Sequence, residues 1–440
     1  MLRDRELLLY RDFRHGDILK DMSELIYEYE FGYDEEENGR YRTLLFDIVS
    51  RLVDLASSHG FTGNLWHMYL TYLLANNENA YSMAAELRGS VEGTLNEVAL
   101  HDFAIFKDMF DYDLNTIDEK LAAGCISYIM DFKNDDEAGK QFNKRIRDRI
   151  CELGVSLSDA GDAEEFGRMV TQFYKEFGVG KFGLHKAFRV EHDSEGEVVI
   201  KPITRIAHVW LDDLVGYEIA KKKLIDNTEA FIEGRPANNC LLFGDAGTGK
   251  SSAIKGILNG YYEKGLRVIE IYRHQFKDIN DVIAQIKNRN YRFILCMDDL
   301  SFEEFETDYK YLKAVIEGGL EKKPSNVLIY ATSNRRHLIK ETWSDREDIK
   351  VDNGIHKSDT MQEKLSLVYR FGVTIYFSKP DKKEFNNIVK VLAKRKGIDM
   401  PEEELLLEAN KWELAHGGLS GRTAVQFVDN ILGSTKNYKI

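Results

Sequence analysis

Thirteen consecutive residues, Cys240 to Ser252, constrain what this 440-residue chain can fold into more than any other stretch. Leu241, Leu242 and Phe243 form a short apolar run suited to a buried strand. Beyond them Ile254, Ile257, Leu258 and Tyr261 fall on one helical face, and Gly265 supplies a stop. Between strand and helix, Gly244, Gly249, Lys250 and Ser251 fit the pattern G-x-x-x-x-G-K-[ST]. Glycines in such a turn admit positive φ angles, which direct successive backbone N–H groups toward one point where phosphate oxygens can sit. The unpaired N–H groups and dipole at the start of the helix favour the same anion. The candidate cradle is therefore Gly244, Asp245, Ala246, Gly247, Thr248, Gly249, Lys250, Ser251 and Ser252. Lys250 is expected to reach the β- and γ-phosphates and Ser251 to ligate Mg²⁺. The plainer alternative is a glycine turn that holds nothing.

A chain of this length exceeds one ordinary core, which implies two or three domains. At 43% hydrophobic and 30% charged residues it reads as a soluble globular protein, and no segment approaches the ~18 apolar residues of a membrane span. No signal peptide is expected from its first residues. Cys125, Cys151, Cys240 and Cys296 lack metal-ligand spacing, and two of them sit in strand-like apolar runs, where a reduced thiol points to the cytoplasm. A net charge of −14 argues against a broad nucleic-acid footprint, while leaving room for a local basic groove.

Residues 1–200 are expected to form a mostly helical N-terminal domain, because Leu44, Leu45, Ile48, Leu52 and Leu55, and then Phe103, Ile105, Phe106, Met109 and Phe110, recur at helical spacing. The acidic run Asp34 to Gly39 reads as a solvated loop, the alternative being a docking site for a basic partner. Gly178, Gly180 and Gly183 spell G-x-G-x-x-G, but they follow a helical stretch rather than a strand, so a flexible connector is expected instead of a dinucleotide fingerprint. Residues 191–200 read as a linker or hairpin. Residues 201–380 then alternate strands (239–243, 266–272, 293–297, 327–331, 373–377) with helical patterns (251–263, 279–288, 308–320, 360–369), which implies a five-stranded parallel sheet with helices on both faces. Residues 381–440 read as a helical lid.

A phosphate loop needs a metal-holding acid at the end of a neighbouring buried strand. Phe293 to Met297 is such a strand, and Asp298 and Asp299 follow it. Asp298 is placed to hold the Mg²⁺ shell and Asp299 to orient or deprotonate a water, the alternative being a helix or turn cap. Asn334, at the end of another strand, is a candidate for contact with the γ-phosphate or the lytic water. Arg370, just before the fifth strand, is either a surface arginine or one that projects into an adjacent subunit's site. Arg422 opens a tail helix where a cation is disfavoured by the dipole, a misfit that a bound anion would resolve.

In this order of parts the chain resembles the AAA+ ATPase superfamily. More narrowly, Leu211 to Tyr217, Asn227 to Phe231, Asp298 to Glu303 and Tyr330 to Leu338 resemble a bacterial AAA+ family known as domain of unknown function 815, over roughly residues 205–435. The resemblance implies that Val215, Gly216 and Tyr217 lie near the adenine of ATP. It also implies that Asn334 is a first sensor, Arg370 an arginine finger and Arg422 a second sensor. It further implies ATP held between subunits of a homo-oligomer, often a hexameric ring.

Two departures stand out. The superfamily usually has Asp-Glu where this chain has Asp298-Asp299. Aspartate is one methylene shorter, so its carboxylate stops about 1–1.5 Å short, and a misplacement near 1 Å can cost about 10²-fold in rate. Slow hydrolysis, or help from Glu303, is the expectation. The loop Tyr272 to Lys277 lacks the aromatic–apolar–glycine motif of protein-threading members, which argues against an unfoldase. The leading reading is Mg-dependent ATP hydrolysis coupled to remodelling or loading of a protein or nucleic-acid partner. The alternatives are a nucleotide-gated binding module with negligible hydrolysis and a small-molecule phosphotransferase.

Overall fold

The computed structural model describes residues 4–134, 144–301, 308–317, 324–334 and 367–434. The chain divides into two compact units, Met1–His185 and Lys186–Ile440. No helix among the described residues is long and apolar enough to cross a membrane.

The first unit is helical. Its centre is the helix Leu65–Asn76, whose sequence is apolar nearly all round and is buried on nearly every side, as expected of a helix surrounded by others. Trp66 Nε1 donates to Met109 O (3.0 Å), and the Tyr10 and Tyr174 hydroxyls pair at 3.1 Å, with Tyr174 donating on to Leu74 O. Of the apolar positions read from periodicity, Leu45, Ile48, Leu52 and Leu55 and all five between Phe103 and Phe110 are buried, while Leu44 packs against their edge.

The G-x-G-x-x-G segment is not a flexible connector. Gly180–Leu184 is a short helix in which Gly180, Phe182, Gly183 and Leu184 are buried. A Cβ on Gly183 would stand 2.7 Å from the backbone carbon of Gly178 and 2.8 Å from Phe177 O. The glycine exists to let two backbone segments touch.

The second unit is built on one sheet: β1 (Ala187–His192), β2 (Val198–Pro202), β3 (Cys240–Gly244), β4 (Leu266–Glu270), β5 (Arg292–Met297), β6 (Val327–Ser333) and β7 (Val373–Phe377). Its order is β2-β1-β4-β5-β6-β3-β7, and only the β1–β2 pair is antiparallel. The five expected strands are β3 to β7. The sheet has two more because the hairpin at 187–202 adds its first strand to the edge of β4. Arg189 and Glu191 alternate with the buried Phe188 and Val190, the period-2 pattern of a half-buried strand, but over too few residues to stand out.

Helices Glu218–Ile232 and Lys250–Tyr261 share one apolar core with the sheet. At its base Asn227 Nδ2 donates to the Tyr330 hydroxyl (3.0 Å) and to Asn238 O (2.9 Å), and Thr228 Oγ1 pairs with the same hydroxyl (2.9 Å). Two motifs separated by a hundred residues thus satisfy one buried tyrosine. Helices Ile279–Ile286 and Asp308–Glu317 follow β4 and β5, and most of the expected helix at 360–369 lies outside the described residues. The tail forms three helices, Lys382–Arg395, Glu402–Ala415 and Gly421–Ser434, around Phe385, Val389, Leu405, Ala409 and Phe427.

Gly183→Ala is expected to lower the stability of the first unit by about 2 kcal/mol, the middle of the overpacking range. For a unit of this size that is roughly 4–8 °C in thermal unfolding, measurable by calorimetry.

Candidate functional site

Parallel strands deliver their carboxyl ends to one edge, and ligands of open α/β sheets bind there. Register fixes which residues meet. Phe243 pairs with Ser333 and Met297 with Ala331, so the residues that follow β3, β5 and β6 converge.

The loop after β3 ends at Gly249, which caps the helix Lys250–Tyr261 with φ 92° and provides no side-chain acceptor. The first N–H groups of that helix consequently lack intrahelical partners at a position where the dipole favours an anion. A Cβ on Gly249 would lie 2.3 Å from Leu214 Cδ1, so glycine also admits the 211–217 segment against the loop. Thr248 is buried and donates its hydroxyl to Asp245 O (2.8 Å), shaping the turn from within.

Lys250 is only 6% exposed and folds back on the loop, donating to Gly244 O (2.9 Å) and Asp245 O (2.6 Å). Burial holds its ammonium below the ordinary lysine range, against the opposing pull of the Asp245, Asp299 and Asp298 carboxylates. Ser251 Oγ donates to Asp298 Oδ1 (2.6 Å). Thr332 Oγ1 donates to the same oxygen (2.5 Å) and accepts from Asp299 N (2.9 Å). Asn334 Nδ2 donates to Asp299 Oδ1 (2.7 Å). Asp299 has φ 54°, a left-handed backbone uncommon outside glycine.

The tail closes the other side. Arg422 N donates to Gly247 O (3.1 Å), bringing the start of the last helix onto the loop. Arg395 Nη2 donates to Asp212 O (2.7 Å), and Lys221 Nζ to Leu214 O (2.9 Å), so the 211–217 segment is gripped from two helices. The resulting cleft of about 720 Å³ is lined by Val215, Tyr217, Ala246, Gly247, Gly249, Lys250, Ser251, Ser252, Asp298, Asp299, Asn334 and Arg422 among the expected residues. Gly216 instead lines an adjoining cavity of about 560 Å³ with Val215, Tyr217 and Glu384. Gly244, Asp245 and Thr248 shape the loop without lining the cleft. Arg370 stands just before β7 and does not line it either, and Glu303 lies outside the described residues.

The sequence reading missed Thr332, Leu214, Ile388 and Leu392, which also line the cleft. Thr332 is two residues from Asn334, but its place beside Asp298 depends on the β5–β6 register, which no local pattern encodes.

The residues present suit a nucleoside triphosphate. Orphan helix donors and a buried ammonium face the cleft, and the buried Tyr217 hydroxyl has no hydrogen-bond partner among the described residues. Burial, then the nearby Glu384 and Asp245 carboxylates, push that hydroxyl up to about 12, so it remains a neutral donor. The Ser251 hydroxyl and Asp298 carboxylate form an all-oxygen pair suited to a hard cation.

The profile of a family described as "Protein of unknown function (DUF815)" matches residues 183–435. No curated protein matches. Among solved structures the chain is similar to Thermotoga maritima RuvB, described as a Holliday junction branch migration motor (17% identity, 51% of this chain, 64% of that one, TM-score 0.36). A single-residue mutant of the same protein is similar to a comparable degree (18%, 51%, 65%, 0.36). The chain spans about 65% of the length of these structures.

Asp299→Gly and Asp299→Ala both delete the carboxylate but differ at the left-handed backbone. The glycine variant is expected to be the more stable by about 1 kcal/mol, read from denaturant midpoints at constant m-value.

Proposed function

This chain belongs to the family described as protein of unknown function DUF815, and on that footing we propose that it is an ATP-binding AAA+-type ATPase. In this reading Mg-dependent hydrolysis is coupled to remodelling or loading of a macromolecular partner. The observation that carries the reading is the convergence of Lys250, the Ser251–Asp298 pair and an uncapped helix start on one cleft.

Lys250 exchanges its two carbonyl partners for β- and γ-phosphate oxygens. Ser251 and Asp298 would hold Mg²⁺, which would supply charge neutralisation during phosphoryl transfer. Asn334 and Asp299 hold a water in line with the γ-phosphorus. As its oxygen bonds to phosphorus and the β–γ bridge breaks, its proton passes to the Asp299 carboxylate, leaving ADP and phosphate. Arg422 faces the loop from the tail. Arg370, which does not line the cleft of its own chain, acts on that of a neighbouring subunit, so the active form is a homo-oligomer, a hexameric ring by the superfamily's habit.

Charge is partitioned between the two units. Residues 1–185 hold 35 Asp and Glu against 20 Lys and Arg, whereas residues 186–440 hold 39 against 40. An acidic first unit repels a phosphate backbone, which favours a protein partner over a nucleic acid.

Lys250→Ala is expected to lower ATP turnover at least 100-fold in a phosphate-release assay, and normal turnover would refute the proposal. The lowered lysine pKa sets a further expectation. Below it the ammonium is present and attracts phosphate; as pH rises through it the charge is lost and affinity falls. Calorimetric titration should therefore show nucleotide affinity declining from a pH below 10.5, with no such limb in Lys250→Met.

A further inference from the structure

Thr332 makes three hydrogen bonds to the two residues that follow Asp298 and to Asp298 itself. It is 2% exposed at the end of β6. Its hydroxyl donates to Asp298 Oδ1 (2.5 Å) while accepting from Asp299 N (2.9 Å), and its carbonyl accepts from Leu300 N (2.7 Å). In an extended strand successive N–H groups point to opposite sides. Here two consecutive N–H groups, those of Asp299 and Leu300, both reach one residue of the neighbouring strand. The chain can do this only by turning sharply at Asp299, which is where φ is 54°.

We propose that Thr332 is the positioning residue of this site: its hydroxyl orients the Asp298 carboxylate and, together with its carbonyl, enforces the left-handed turn that delivers the Asp299 carboxylate to Asn334. The proposal rests on the ATPase reading and deepens it. The turn is how an acid one methylene shorter than glutamate is brought within 2.7 Å of the strand-end amide. A hydroxyl is required because one group must donate to a carboxylate and accept from an N–H at once, which among side chains of this size only Ser and Thr can do. Valine has the shape without either capacity. It would leave the Asp299 N–H unpaired and reduce the hydroxyl donors on Asp298 Oδ1 from two to one.

The test compares Thr332→Val with Thr332→Ser in the full chain, with thermal unfolding recorded to confirm that both fold. Two readouts are taken: steady-state ATP turnover, and the Mg²⁺ dependence of binding to a fluorescent, slowly hydrolysed ATP analogue, which needs no turnover. Thr332→Val is expected to lower kcat about 10- to 100-fold, the range for a misplacement near 1 Å, with KM changed less than about threefold. The Mg²⁺ concentration at half-maximal binding should rise severalfold, and Thr332→Ser should rescue most of both effects. In an Asp299→Gly background, where no carboxylate remains to be aimed, the valine substitution should lower residual turnover far less than in the wild type. Wild-type values for both readouts in Thr332→Val, or equal losses in the Val and Ser variants, would overturn the proposal. Should the wild type itself fail to hydrolyse ATP, the ATPase reading falls. The binding arm then decides for Thr332 alone: a midpoint shifted by Val and rescued by Ser supports it, and an unshifted midpoint overturns it.

Discussion

A helix that begins without a cap is the constraint on which the site depends. The turn ending at Gly249 leaves the first N–H groups of Lys250–Tyr261 unanswered by side chains, and buried or half-buried backbone donors must find partners somewhere. The surrounding elements converge on that deficit. β3 carries the loop to the carboxyl edge of the sheet, β5 and β6 bring acids and a threonine alongside, and the last helix of the tail lays Arg422 N on Gly247 O. Each contact is modest by itself. Together they surround a volume large enough for a nucleotide and chemically suited to one of its charges.

The parts of this arrangement that were legible in the sequence are those written locally. The loop, the apolar strand before Asp298, and the helical face of Ile254, Ile257 and Leu258 each occupy a few contiguous residues, and all three of those apolar positions are buried. The five parallel strands were legible for the same reason. What escaped was written across distance. A hairpin at β1 and β2 was one of two readings of residues 191–200, but its pairing with the edge of β4 was not legible, because a short alternating run does not say which strand it joins. Thr332 escaped because thirty-four positions separate it from Asp298 and only register unites them. The left-handed turns at Tyr217 and Asp299 escaped because neither residue announces a positive φ, as glycine would. Gly183 shows the reverse case: a glycine motif that reads as a loop turns out to be a packing contact.

The family likeness was carried by motifs whose structural connection is now plain. Asn227 and Thr228 do not approach the cleft; they satisfy the Tyr330 hydroxyl, which stands on β6 two residues before Thr332. β6 is buried along its whole length, so a polar anchor at its middle fixes the strand against sliding. The strand end then sets both acids. Residues outside a site thereby determine the geometry within it, through a strand held in place rather than through direct touch.

The posture of Lys250 has a thermodynamic consequence of its own. With its ammonium bonded to the carbonyl oxygens of Gly244 and Asp245, the lysine is already paired without a guest, although the helix N–H groups beside it are not. Capture of an anion is then a substitution in which old bonds are surrendered as new ones form, so the net gain is smaller than the contacts in a complex would suggest. Release of the anion is eased to the same extent, because the lysine has somewhere to return. A receptor of this kind exchanges its guest more readily than it retains it.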